Sequence, residues 1–119
     1  YSAINDHRFV LTDKYALLRQ DPKEKKAFKA GFNVTGKQVL YIKGRNILRI
    51  SFDGYKNISY PDFCCNYETY TNDLFLECEL LGELKSYLPN ETACIKEKWE
   101  LSATEWGPEK VIDEFISKI

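Results

Sequence analysis

The chain has 119 residues, 44% of them hydrophobic and 29% charged, with 17 basic and 18 acidic side chains and a formal net charge of −1. That balance excludes intrinsic disorder and argues against nucleic-acid or polybasic membrane binding, both of which need a clustered excess of Lys and Arg. No apolar run is long enough to cross a bilayer, and the length predicts a single domain over residues 1–119.

Residues 8–11 are short and apolar and read as a first strand. Thr12 and Asp13 offer N-cap chemistry ahead of a short helix over residues 14–19. Asp21-Pro22 interrupts it, and Pro22 suits the first position of a second helix over residues 23–30, ending at Gly31. In that helix Ala27, Phe28 and Ala30 turn inward and the lysines face solvent.

From Gly31 the pattern becomes extended. Residues 32–35, 38–42 and 47–52 are rich in β-branched and aromatic side chains, separated by Gly36-Lys37, by Lys43-Gly44-Arg45-Asn46 and by Asp53-Gly54. Residues 63–70 and 74–81 continue the pattern across Thr71-Asn72-Asp73, and a last strand covers residues 93–101. Gly107-Pro108 opens a closing helix, in which Val111, Ile112, Phe115, Ile116 and Ile119 recur at helical spacing. The fold class expected is α+β: an N-terminal helical segment, an antiparallel β-meander of five to seven strands, and an amphipathic C-terminal helix packed on the sheet with Phe115 as anchor.

Three Asn-x-Ser/Thr sequons, headed by Asn33, Asn57 and Asn90, and an even number of cysteines point to a secreted, extracellular glycoprotein. The chain contains no methionine, so a cleaved signal peptide is expected before Tyr1. Adjacent Cys64 and Cys65 are poorly placed to bond one another, so two disulfides are expected, each joining one of them to Cys78 or Cys94, with the pairing open. Metal ligation is disfavoured by the spacing, and no metal or other cofactor is expected.

The Cys-Cys, Cys, Cys order, with fifteen residues between Cys78 and Cys94, resembles that of CC chemokines. The cysteine pair, however, follows a long β-rich stretch. The strand–helix–meander order resembles cystatin-like folds, yet Gln38 is followed by Val39, Leu40, Tyr41 and Ile42 and not by a Gln-x-Val-x-Gly hairpin. No family assignment follows from either.

Catalytic chemistry is thin. His7 is the one histidine and lies near the N-terminus, and Glu77 and Glu79 share a strand face around Cys78 as solvated acids. An enzyme is not expected. The eight tyrosines favour instead a binding module for an extracellular protein: an inhibitor, a receptor ligand or a host-directed effector in immune modulation. Its expected contact residues are Tyr41, Lys43, Arg45, Tyr55, Tyr60, Tyr67 and Tyr70. The alternative is a carrier of a small apolar ligand in a cavity between meander and C-terminal helix, lined by Leu40, Ile42, Leu48, Ile50, Phe52, Leu74, Leu76 and Phe115.

Overall fold

The computed structural model describes residues 2–34, 38–53 and 57–117, the side chains of Phe115 and Ile116 excepted. The protein is mostly β, and its chain divides into two compact units, Tyr1–Val34 with Lys56–Ile95 and Thr35–Tyr55 with Lys96–Ile119.

The first unit begins with a hairpin. Strand β1 (Phe9–Leu11) pairs antiparallel with β2 (Ala16–Leu18), Phe9 opposite Leu18. The helix expected over residues 14–19 is therefore absent. Thr12 does perform capping chemistry, but on a turn: its Oγ1 accepts from the amides of Lys14 (3.2 Å) and Tyr15 (3.0 Å). A six-residue helix has too few internal bonds to stand alone, whereas the hairpin satisfies the same backbone through β1.

The second expected helix, residues 23–30, is also replaced. Asp21 accepts from the Lys23 amide at 2.9 Å and Glu24 from the Lys26 amide at 2.9 Å, forming a turn that delivers the chain into β3 (Phe28–Phe32). Phe28, Ala30 and Phe32 alternate at the period of a strand, and Phe28 is completely buried. It packs against Phe9 at 5.2 Å between ring centroids, with Leu18 and Phe32 completing the core. The Arg8 guanidinium lies 5.9 Å from the Phe28 ring centroid, 1% exposed and bonded to both carboxylate oxygens of Asp6.

Strand β3 pairs with β6 (Tyr67–Thr71), which pairs with β7 (Leu76–Leu80), in the order β3-β6-β7. Between β6 and β7, Asn72 Oδ1 accepts from the amides of Leu74 (2.8 Å) and Phe75 (3.1 Å), closing the hairpin turn. Before β6 stands α1 (Pro61–Cys64), a single turn in which Asp62, Phe63 and Cys64 all have positive φ, at 51°, 62° and 69°. Left-handed backbone costs about 1–2 kcal/mol per non-glycine residue, so the turn needs external support. Asn33 Nδ2 donates to the Cys64 carbonyl at 2.7 Å, and the Asn66 side-chain amide exchanges two hydrogen bonds with the Val34 backbone, at 2.7 and 2.6 Å.

In the second unit, β4 (Gln38–Lys43) and β5 (Asn46–Phe52) form a hairpin, and β8 (Glu97–Ala103) pairs with β5 to give the order β4-β5-β8. The strands do not form one continuous meander. Among the described residues they form the two-stranded β1-β2 sheet and two three-stranded sheets, each of the latter containing a pairing between strands distant in sequence, β3 with β6 and β5 with β8. Helix α2 spans Pro108–Ser117, with Val111 buried, but it does not lie along any strand among the described residues. The C-terminal helix packed on a sheet is thus overturned, and Phe115, its expected anchor, has a side chain outside the description. The α+β expectation gives way to a mostly β protein.

The two expected disulfides are also absent. No two cysteines lie at disulfide-bonding distance, with Cys64 and Cys94 exposed, Cys65 buried and Cys78 half-buried. Strand register supplies the reason for one pairing: Cys78 stands opposite Thr69, four residues from Cys65, or roughly 13 Å at the rise of a strand. Such a gap exceeds what a disulfide spans.

Candidate functional site

The β4-β5-β8 sheet presents two unlike faces, because side chains alternate along each strand. Register places Val39, Ile50 and Trp99 in one row, and Tyr41, Leu48 and Leu101 in the next. Lys43, Asn46 and Ala103 form the third row of the same face. Ile50 is buried, Tyr41 and Leu48 are half-buried, and on β8 Trp99 remains 65% and Leu101 77% exposed. Trp99 Nε1 donates to Glu97 Oε2 at 2.6 Å, which ties the indole to its own strand.

The opposite face is polar where it meets β8. Arg49 stands across from Glu100 and donates from Nε to its carboxylate at 2.8 Å, while Lys98 Nζ reaches the other oxygen at 3.1 Å. Hydrogen bonds from Arg49 and then Lys98 hold the Glu100 carboxyl below its ordinary pKa. This arrangement fixes the register between β5 and β8 and leaves the Trp99 face without charge at its centre.

The β4–β5 hairpin closes through Gly44 and Arg45. Gly44 has φ +58° and Arg45 does not have a positive φ, the pattern of a type II′ turn, which matches the twist of the flanking strands. Arg45 forms an ion pair with Glu105, and its carbonyl accepts from the Thr104 amide at 2.8 Å, so the end of β8 is bound to the hairpin tip. Beyond it, Lys110 Nζ sits 4.5 Å from the centroid of the Trp106 ring.

Of the expected contact residues, the structure brings Tyr41, Lys43 and Arg45 together on this hairpin, with Lys43 and Arg45 exposed. Tyr60, Tyr67 and Tyr70 belong to the other unit, where Tyr60 and Tyr67 are buried and Tyr70 packs on Phe75 at 5.7 Å. Burial pushes the Tyr67 hydroxyl far above its ordinary pKa, and burial also raises the Cys78 thiol beside it. Tyr55 lies outside the described residues. Sequence reasoning missed Trp99 and Leu101 as surface residues. The available signal was the alternation of Trp99, Leu101 and Ala103 between charged or polar neighbours, which reads equally well as a strand facing a core.

The side chains expected to line a ligand cavity are divided between the units. Leu40, Ile42, Leu48, Ile50 and Phe52 lie in one, and Leu74 and Leu76 in the other, where Leu74 is exposed.

The acids Glu77 and Glu79 share a face of β7, and the hydrogen bond between them raises the Glu77 carboxyl above its ordinary pKa. Lys29 on β3 bridges this group, 2.6 Å from buried Glu68 and 3.5 Å from Glu79, and the Glu68 bond raises its ammonium pKa. These contacts let a lysine on β3 neutralise acids on β6 and β7. Among the described residues no three His, Cys, Asp or Glu side chains are placed to hold a metal ion. His7 reaches Asp21 at 3.2 Å, on the surface. No described helix is long and apolar enough to cross a membrane.

The sequon residues Asn33, Asn57 and Asn90 are all exposed, and all three belong to the first unit. No protein-family model matches the chain, and no curated protein or solved structure matches it either.

Proposed function

We propose that the protein is a secreted binding module that engages an extracellular protein through the apolar face of the β4-β5-β8 sheet. The observation that carries this reading is the exposure of Trp99 and Leu101 side by side on β8, in register with Tyr41 and Leu48. An exposed tryptophan beside an aliphatic side chain on a rigid sheet gives large contact area at low entropy cost, the chemistry of binding hot spots. Lys43 at the end of the same face supplies a charged rim.

Secretion is supported by the three exposed sequons. None falls on the β4, β5 or β8 strand, so glycans at Asn33, Asn57 and Asn90 would be carried by the other unit's segments. The role is one of binding, as an inhibitor, receptor ligand or host-directed effector, and not of catalysis.

The test is affinity capture from extracellular fluid with the wild-type chain and with Trp99→Ser and Leu101→Ser. Loss of a specific captured protein in both variants, with unchanged far-UV circular dichroism, is the expected result. Equal capture by all three chains would remove the face from the mechanism.

A further inference from the structure

The free edge of β8 lies at the margin of the same sheet, and its backbone is an interaction surface separate from the side chains of the face. The geometry points to a second copy of this chain as its occupant: two β8 strands pair antiparallel about a two-fold axis centred on Trp99, joining the sheets in the order β4-β5-β8-β8-β5-β4. This goes beyond the proposed binding role and does not depend on it.

Among the described residues, strand order leaves β8 without a strand neighbour on the side away from β5 along its seven residues. Such an edge presents a row of unpaired N–H and C=O groups and templates a further strand. Alternate residues aim their backbone groups at a given edge, so a two-fold antiparallel pairing must centre on a residue and not between two. That requirement leaves few registers, and charge decides among them.

Centring on Lys98 sets that lysine against its own copy, and centring on Glu100 does the same with the two carboxylates. Centring on Leu101 sets Glu97 against Glu105 of the second copy. Centring on Lys98 does set Lys96 against Glu100, but among these registers only centring on Trp99 gives unlike pairs with no like pair: Lys98 faces Glu100 of the second copy, twice by symmetry, while Trp99 meets Trp99. Lys98 has a side chain 71% exposed and lies on the same strand face as Glu100, so both pairs form on the polar side of the joined sheet. The indoles meet on the apolar side, where an aromatic cross-strand pair is among the most stabilising. A register is well specified when one face is apolar and the other carries complementary charge, and β8 has both.

Sedimentation equilibrium of the full chain, over a concentration series reaching ~100 μM because a single edge contact lies at the small end of stable interfaces, should show a monomer–dimer equilibrium. Lys98→Glu turns two attractive pairs into two repulsive ones and should weaken the dimer about tenfold. As a test of register, Trp99→Cys under mild oxidation should give a dimer whose mass-mapped link joins residue 99 to residue 99. Leu101→Cys, four residues out of register with its own copy, should give no 101–101 link. A monomer throughout the series would overturn the proposal. So would an unchanged dimer in Lys98→Glu, or a 101–101 link as strong as the 99–99 link.

Discussion

Replacing Asp6 by Asn perturbs a multiply bonded polar pair in the first unit. Arg8 is 1% exposed, donates from Nε and Nη2 to the two Asp6 oxygens at 2.9 and 2.8 Å, and donates from Nη1 to the Lys26 carbonyl at 2.9 Å. Asparagine is the same size but removes the negative charge and turns one acceptor into a donor aimed at the guanidinium. Breaking a buried pair from one side leaves an uncompensated charge and typically costs about 3–5 kcal/mol. Taking ~3 kcal/mol, the protected amides of β1, β2 and β3 should exchange roughly a hundredfold faster in native-state hydrogen exchange. With a urea slope of ~1.5 kcal/mol/M, the unfolding midpoint should fall by about 2 M. The pH dependence has a definite sign. The Arg8 hydrogen bond holds the Asp6 carboxyl well below the usual carboxylate range, so its contribution is full above the unfolded-state pKa of about 4. It is lost as pH falls through the depressed folded-state value. The wild type should therefore lose more stability than Asp6→Asn on acidification below about pH 4, and the two curves should run parallel from pH 5 to 7. An exchange rate in Asp6→Asn equal to that of the exposed control Asp13→Asn would refute the account of Arg8 as a buried, charge-compensated core residue.

Truncating Phe28 to Ala removes a completely buried ring and should cost about 3–5 kcal/mol, measured by urea denaturation of the first unit. Alkylation under non-reducing conditions at pH 8 should modify all four cysteines, Cys64 and Cys94 first, because burial raises the Cys78 thiol and Cys65 is buried as well. Two crosslinked peptides resistant to alkylation would contradict that cysteine arrangement. Gly44→Ala places a Cβ in open space at φ +58°, so its cost of about 1 kcal/mol is backbone strain alone, and Gly44→Asn should cost less in a thermal melt.

Turn chemistry was the most legible part of the protein. Gly44 between two apolar runs and Pro108 at the start of α2 act through their own backbone conformation, and Asn72 through bonds to Leu74 and Phe75, so that each effect is local and sequence shows it directly. Thr12 shows the limit of that reasoning. Its hydroxyl accepts nearby amides as a helix cap would, but local chemistry cannot say whether a helix or a second strand follows. The period-two pattern of Phe28, Ala30 and Phe32 was present in the sequence and was masked by flanking Ala and Lys residues that favour helix. Tertiary burial against Phe9 decided it, since packing outweighs a propensity of a few tenths of a kcal/mol per residue.

Pairing between distant strands was beyond the sequence. Alternation says that β5 and β8 are strands, but not that Arg49 meets Glu100, nor that β3 joins β6 in preference to its neighbour in sequence. The cysteine geometry and the candidate site both follow from those pairings. Cys78 stands opposite Thr69, out of reach of Cys65, and β8 becomes an edge, leaving Trp99 and Leu101 exposed where a central strand would have buried them. Composition and local spacing determined the turns and the strands after Gly31, while β2 and β3 read as helices until burial decided them. Which strand lies at the edge, and so which apolar side chains face solvent, is a property of contacts between residues some fifty positions apart, and only the tertiary structure decided it.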